Sequence, residues 1–174
     1  MTFLELWDIY DKNRNLTGRT MERGSVFVKG DFHLVVHVCI FNLKNEMLIQ
    51  QRQPWKLVWP NIWDITVGGN ALSGETSVEA AERETFEEIG NKIDLSDELP
   101  FFTINFEEGF DDYYLVERDI DINDLTPQFE EVKTLKWASK DEIKQLTKEG
   151  KFIDYWFTEI LFDMVKNRGA YRTV

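Results

Sequence analysis

The chain has 174 residues, a formal net charge of −12 and 43% hydrophobic residues. This length and apolar content predict a single domain spanning residues 1–174, with a hydrophobic core of ordinary size. So acidic a chain argues against nucleic acid polymers and anionic membranes as partners, and a phosphate-bearing small molecule would need a divalent cation or a few placed basic side chains.

The first seventy residues are predicted to be rich in strands. LELWDIYD is β-prone and precedes the turn-rich KNRNLTGRT, so residues 1–28 are expected to form an N-terminal strand or hairpin extension. FHLVVHVCIF and EMLIQQR predict two strands joined by the turn NLKN, and the loop QPWKLVWPN leads to a short strand, IWDITV, that ends at Gly68-Gly69. The N-terminus lacks a signal pattern and no apolar run reaches membrane-spanning length, which favours a cytoplasmic protein.

A helix is predicted over residues 77–89, because Thr76 and Glu79 fit a capping box and Gly90 occupies a C-cap position. Three strands are predicted after it, in FFTINFEE, DDYYLVERDI and VKTLKWAS. Two helices follow, KDEIKQLTKEG, capped by Ser139, and IDYWFTEILFDMVKNR. Together these elements predict an α/β (α+β) fold in which a mixed β-sheet lies between α-helices.

The segment from Gly68 to Gly90 holds six glutamates and one arginine. On a helix, Glu84, Glu87 and Glu88 have the spacing i, i+3, i+4 and share one face, where like charges repel. An exposed charged surface usually alternates the two signs, and this one does not. A hard divalent cation such as Mg²⁺ or Mn²⁺ would neutralise the cluster, so the sequence predicts a metal site.

The same segment carries a basic residue and several glycines that fit such a site. Arg83 lies one helical turn before Glu87 and can hold it by a charge-assisted hydrogen bond. Gly68, Gly69 and Gly74 allow a tight loop that brings backbone against a metal ion or a phosphate.

With these positions the segment resembles the Nudix box, whose pattern is Gly, five residues, Glu, seven residues, Arg-Glu, two residues, Glu-Glu, one residue, Gly. Thr85 and Asn91 depart from the pattern at places where an apolar residue is usual, which concerns packing rather than chemistry. The strands around the box also resemble the Nudix fold, from about residue 31 onward. The matching positions are Gly69, Glu75, Arg83, Glu84, Glu87, Glu88 and Gly90.

The resemblance implies hydrolysis of a diphosphate linked to a nucleoside or another group. It further implies that Mg²⁺ or Mn²⁺, bound by Glu84, Glu87, Glu88 and the backbone of Gly68, polarises the diphosphate and readies a water molecule. The partner is then a small-molecule diphosphate. Its identity is not predicted, and the resemblance leaves open a homodimer.

The general base varies within the family, so several acids are candidates for it. Glu87 lies in the box, and Asp111 and Asp112 stand directly before YYLV. Asp112 joins Glu87, Arg83 and Glu84 in the expected catalytic set. Glu107 and Glu108 are weaker candidates, because a solvated acidic turn explains them equally well.

Substrate-binding residues are expected on both sides of the box. Arg52 could reach a phosphate oxygen, although a strand-end salt bridge would explain it as well. Trp59, like Trp55 and Trp63, could stack a base or a prenyl chain, although tryptophans at this spacing more often cover a core. Gly69 would allow substrate to approach the backbone.

The front of the chain also resembles a Nudix subgroup that includes type I isopentenyl diphosphate isomerase. The matching stretches are LWDIYDKNRNLTGRT, FHLVVHVCIFN and LVWPNIWDIT. That isomerase uses a cysteine and a metal-binding histidine just after the last of these stretches, where this chain has neither, and it lacks an intact box. A hydrolase is therefore favoured over an isomerase, and over a non-catalytic nucleotide-binding regulator, since such regulators usually lose box glutamates.

Three further residues carry side chains that could bind a metal ion or react. His33 matches a metal-site histidine of the isomerase, and His37 lies on the same strand face about 13 Å away, too far to share one ion. Cys39 is the only cysteine, lies within a predicted buried strand and is expected to be a core thiol.

Overall fold

Two β-sheets and three α-helices make up the computed structural model, which describes residues 5–167 and 169. None of the helices in this described part is long and apolar enough to cross a membrane. The helices are α1 (Ser77–Ile89), α2 (Lys140–Lys148) and α3 (Thr158–Met164). The strands are β1 (Leu6–Tyr10), β2 (Leu16–Glu22), β3 (His33–Phe41), β4 (Met47–Arg52), β5 (Trp63–Asp64), β6 (Val67–Asn70), β7 (Phe102–Phe106), β8 (Gly109–Glu117) and β9 (Val132–Ala138).

The larger sheet is mixed and lies between helices, which confirms the predicted fold class. Its strands run in the order β5-β4-β3-β8-β7, with β6 paired to β3 and β9 paired to β4. The central strands β3 and β8 are parallel, and the other pairs are antiparallel. Alternate residues of β3 face opposite sides, so Val36 packs in the same core cluster as Ala80 of α1, and Phe41 in the cluster of Leu161 of α3.

Helix α1 begins and ends where the sequence predicts. The Thr76 side chain accepts a hydrogen bond from the backbone of Glu79, and the Glu79 carboxylate accepts one from the Thr76 backbone. Gly90 ends the helix in the left-handed conformation, with φ of 70°. Because Ala80 and Ala81 are fully buried against β3, the opposite side of α1 is free to carry its carboxylates.

Strands β1 and β2 form a separate antiparallel hairpin that is fastened to the rest of the fold. The Asp8 carboxylate accepts hydrogen bonds from the hydroxyl of Ser73 (2.7 Å) and the backbone of Gly74 (2.8 Å). At the hairpin turn, the Arg14 guanidinium pairs with Asp112 of β8. The hairpin therefore lies over the loop that leads into α1. That residues 1–174 form a single domain, with this hairpin as its N-terminal extension, stays a prediction. Residues 1–4 lie outside the described part.

Two predicted elements are wrong in their bounds. The strand expected at residues 62–67 is broken between β5 and β6, because the buried Thr66 hydroxyl bonds Leu48 and Ile40 on two different strands. The last helix begins at Thr158 rather than residue 153, because residues 151–153 run alongside Trp63 and exchange backbone hydrogen bonds with it. The predicted end of that helix, Arg168, lies outside the described residues.

The capping box offers a direct test of how α1 is held. Thr76→Ala should lower the free energy of unfolding by about 1 kcal/mol, because it leaves the Glu79 backbone N–H without its acceptor. Thr76→Ser keeps the oxygen and should cost less than half as much. Chemical denaturation of the three proteins measures both differences, and equal stability of all three would contradict the assigned cap.

Candidate active site

A cleft of about 910 Å³ brings together the Nudix-like segment and distant parts of the chain. It is lined by β6 and α1, by the end of β4 and by the segment before β9. The β1–β2 hairpin closes the rim through Glu5, Leu6 and Arg23. The predicted site residues that line this cleft are Arg52, Gly68, Gly69, Arg83, Glu84, Glu87 and Glu88.

Both glycines of β6 are required by close approach rather than by a turn. A Cβ atom at Gly68 would overlap the His37 imidazole, and one at Gly69 would overlap the Glu84 carboxyl group. Side chains from β3 and α1 therefore lie directly against the β6 backbone. This contact sets the depth of the cleft floor.

Arg83 is the electrostatic centre of the segment. Its Nε and Nη2 donate to the two carboxylate oxygens of Glu75 at 2.6 and 3.0 Å, and Nη2 also donates to the Asn70 carbonyl at 2.9 Å. Nη1 donates to Glu84 at 2.9 Å and to Glu87 at 2.8 Å. One guanidinium thus joins the end of β6, the following loop and the carboxylate face of α1.

Two of the three clustered carboxylates are poorly solvated. Burial raises the pKa of Glu84 to about 7, against the opposing effect of Arg83. Burial, together with the charge of Glu84, raises the pKa of Glu88 well above its usual value, although Gln50 donates a 2.8 Å hydrogen bond to Glu88. Glu87 is exposed at the cleft. Negative charge at this wall is therefore costly without a compensating cation.

The side chains fit a divalent cation in their chemistry. Glu84, Glu87 and Glu88 supply oxygen donors on one side of α1, and two of them lie where burial disfavours their ionised form. Across residues 5–167 and 169, however, no three His, Cys, Asp or Glu side chains are grouped at ligand distances. Arg83 lies between Glu84 and Glu87 and neutralises them instead.

The structure does not bring Asp112 to the cleft. Asp112 is fully buried, and its carboxylate accepts hydrogen bonds from Arg14, from Ser77 (2.6 Å) and from Thr103 (2.6 Å). Because side chains alternate along β8, the adjacent Asp111 faces the other side of the sheet. Asp112 thus has a structural contact for each oxygen.

Asp111 instead meets a histidine to which the sequence assigned no role. The His37 Nδ1 lies 2.6 Å from Asp111 Oδ1, and the Tyr113 hydroxyl donates to Asp111 Oδ2 at 2.8 Å. Burial is the largest influence on the pKa of His37 and lowers it, but the charge and hydrogen bond of Asp111, together with the charges of Asp64 and Glu84, raise the pKa overall. His37 lines the cleft beneath Gly68. The pairing joins residues on two parallel strands, so no local sequence pattern could have indicated it.

Basic side chains line the same cleft as the carboxylates. Arg52 lines the cleft, donates from Nε to the Val58 carbonyl at 3.2 Å, and its Nη1 is 3.7 Å from Asp64. Lys56 also lines it, paired with Glu131.

The predicted stacking residue Trp59 lies outside this lining. It is 53% exposed on the loop after β4 and has a positive φ of 53°. Trp55 on the same loop packs against Phe129, with ring centroids 5.3 Å apart. Trp63 lies on β5 and is half-buried. Among the described residues that line the cleft there is thus no tryptophan.

His33 and Cys39 are both buried. His33 is stacked on Trp7 and lies against the tilted ring of Phe27, each with ring centroids 4.9 Å apart, and burial lowers its pKa. Cys39 is fully buried on β3, and burial raises the pKa of its thiol. Neither lines the cleft.

Comparisons with known proteins agree with this geometry. The NUDIX domain family matches residues 31–159. An uncharacterized Nudix hydrolase from Listeria monocytogenes is 49% identical over 92% of this chain and 95% of its own length. An isopentenyl-diphosphate Delta-isomerase from Pectobacterium atrosepticum is 32% identical over 79% of this chain and 78% of its own. A crystal structure of a Deinococcus radiodurans protein superposes with a TM-score of 0.73 at 21% identity, covering 92% of this chain and 99% of that one, which shows a shared fold.

The contact between Gly69 and Glu84 can be tested by adding one methyl group. Gly69→Ala should displace the Glu84 carboxylate and lower turnover about tenfold or more, with little loss of stability, because the displaced group is the end of a flexible side chain. Gly169→Ala, where a Cβ meets nothing within 4 Å, is the control. Turnover and melting temperature should be measured for both. Unchanged turnover in Gly69→Ala would show that this contact does not set the site.

Proposed function

Because the chain belongs to the Nudix hydrolase family, as the match over residues 31–159 and the close Listeria relative show, we propose that it cleaves a diphosphate linkage in a nucleoside diphosphate derivative or related compound with Mg²⁺ or Mn²⁺. As a member it is a hydrolase that acts on diphosphate-containing substrates. The observation that carries the finer proposal is that Glu84, Glu87 and Glu88 line one cleft together with basic side chains. A cytoplasmic location and a homodimer stay predictions.

In this proposal Glu84, Glu87 and Glu88, with the backbone of Gly68, hold the metal. A bound divalent cation there supplies Lewis-acid polarisation of the diphosphate and lowers the pKa of a ligated water. Arg83 is assigned to orienting Glu87 and the loop before α1, since a guanidinium cannot ligate a cation. Its bonds to Glu84 and Glu87 would be partly exchanged when the carboxylates turn to the metal.

The remaining groups bind and position the substrate. Arg52 is assigned to a phosphate oxygen, because it lines the cleft and its Nη nitrogens donate to no described residue. Gly69 leaves room for the substrate against the β6 backbone. Trp59 as a stacking residue has no support from the cleft lining.

The general base is assigned to Glu87 among the acids considered. Glu87 is exposed at the cleft and held by Arg83 at 2.8 Å. Asp112 is buried and fully hydrogen-bonded, which argues against it, and Asp111 could act only through His37. Glu107 and Glu108 are exposed and do not line the cleft.

An isomerase of the isopentenyl diphosphate type is the second candidate, since relatives bear that name. Two observations weigh against it. The chain's single cysteine, Cys39, is buried away from the cleft with its pKa raised by burial, and the box carboxylates are complete. A non-catalytic regulator is disfavoured by the same complete box.

The metal assignment is tested by three conservative changes. Glu84→Gln, Glu87→Gln and Glu88→Gln should each lower turnover by orders of magnitude with no loss of stability, because each removes a ligand and also relieves repulsion. Activity should require Mg²⁺ or Mn²⁺ and disappear with chelator. The measurement is phosphate release over a panel of nucleoside diphosphate derivatives, dinucleotides and isopentenyl diphosphate.

Glu82→Gln is the matched control on the same helix. Its carboxylate accepts a hydrogen bond from the Leu95 backbone and lines no part of the cleft, so turnover should stay within about twofold. Full activity in all three box variants would refute the metal site.

The second candidate is tested by product analysis. Incubation with isopentenyl diphosphate and Mg²⁺ should give no dimethylallyl diphosphate, because no described residue at the cleft is a cysteine that could transfer the proton. Chromatography of the reaction mixture measures this. Accumulation of dimethylallyl diphosphate at enzyme-like rates would replace the hydrolase with an isomerase.

A further inference from the structure

Arg52 is presented to the cleft in an unusual way. Its Nε is tied to the Val58 carbonyl at 3.2 Å, which fixes the base of the guanidinium. No described residue accepts a hydrogen bond from either Nη nitrogen. By contrast, Arg23, Lys56 and Arg83, which line the same cleft, each donate to a carboxylate within hydrogen-bond distance. Arg52 thus has two nitrogens available for an anion.

The acid nearest to Arg52 does not engage it fully. Asp64 is buried, yet its Oδ2 is 3.7 Å from Arg52 Nη1, beyond hydrogen-bond distance. A buried carboxylate strongly favours direct donors, since an unsatisfied one is costly. Other hydrogen-bond donors must therefore satisfy the Asp64 carboxylate, so that Arg52 is not drawn towards it.

Two donors meet that need at the other oxygen of Asp64. The backbone N–H of Ile65 and the hydroxyl of Tyr155 both donate to Oδ1, each at 2.8 Å. Tyr155 comes from the C-terminal segment, which is held beside β5 by backbone bonds from Trp63 to Lys151 and from Ile153 to Trp63. The Tyr155 hydroxyl thus reaches Asp64 from a part of the chain far from the Nudix box.

We propose that Tyr155 is a positioning residue: by satisfying the Asp64 carboxylate, it keeps the Arg52 guanidinium available to an anionic group of the substrate. The Tyr155 hydroxyl satisfies the buried carboxylate, and Asp64 then attracts Arg52 only at a distance. Without that hydroxyl, Asp64 would take Arg52 as a direct hydrogen-bond donor and withdraw it from the cleft. This inference rests on the proposed function, in which Arg52 binds a substrate phosphate.

The experiment uses methylenediphosphonate, a diphosphate that is not hydrolysed, titrated calorimetrically in the presence of Mg²⁺. Tyr155→Phe changes no charge and should weaken binding about threefold to tenfold, the effect of one hydrogen bond. Adding Asp64→Asn to that variant should restore binding, because a neutral amide does not attract Arg52. Asp64→Asn alone should bind as well as the unsubstituted protein or more tightly. Arg52→Ala should weaken binding, and Tyr155→Phe should then add nothing.

Tyr114→Phe is the control, since it removes a buried hydroxyl that donates to Ser77 on the other side of the sheet. It should leave binding unchanged. Weak binding in Tyr155→Phe that Asp64→Asn does not restore would mean a merely structural role and overturn the proposal. Unchanged binding in Tyr155→Phe, or in Arg52→Ala, or no binding to the unsubstituted protein, would overturn it too.

Turnover separates this inference from the proposed function. With a hydrolysed substrate from the panel, Tyr155→Phe should raise KM by the same factor and leave kcat within about twofold. If no panel compound is hydrolysed but the binding pattern appears, the inference stands and the proposed function fails. If hydrolysis occurs and Tyr155→Phe leaves KM unchanged, the function stands and the inference fails.

Discussion

The cleft depends on one guanidinium that compensates a face of like charges. Arg83 contacts Glu75, Glu84, Glu87 and the carbonyl of Asn70, so a single side chain holds a strand end, a loop and a helix in one geometry. Without that contact Glu84 and Glu87 would repel one another with no positive charge between them. Lysine could not make all of these hydrogen bonds, because its ammonium has three N–H donors whereas the planar guanidinium has five.

Close approach of side chains explains why β6, the strand beside α1, carries two glycines. The Glu84 carboxylate and the His37 ring lie against the backbone of β6, and only glycine at Gly69 and Gly68 leaves room for them. The buried alanines Ala80 and Ala81 bring α1 close enough for this approach. The positions of the charged residues, the two glycines and the two alanines therefore depend on one another.

Local signals predicted the local parts of this arrangement. The bounds of α1 followed from its capping box and C-cap glycine, and the cleft wall followed from fixed spacing within the box. The break between β5 and β6 was missed because Thr66 bonds two strands at once, which no alternation of apolar residues records. The placement of Asp112 was missed because its partner Arg14 lies 98 residues away. The hydrogen bonds to the buried Asp112 from Ser77, Thr103 and Arg14 form only after the sheet is assembled.

The hydrogen bonds that fasten the β1–β2 hairpin to the rest of the fold have a consequence for the order in which the protein is built. Asp8 accepts hydrogen bonds from Ser73 and Gly74, which lie 65 and 66 positions further along the chain. Arg14 pairs with Asp112, which lies 98 positions further along. During synthesis the hairpin leaves the ribosome before Ser73, Gly74 and Asp112, so it cannot make these contacts until those residues have emerged. The segment that forms the rim of the cleft is therefore translated before the carboxylate wall of α1, and fastening it requires contacts that span 65 to 98 positions of the chain.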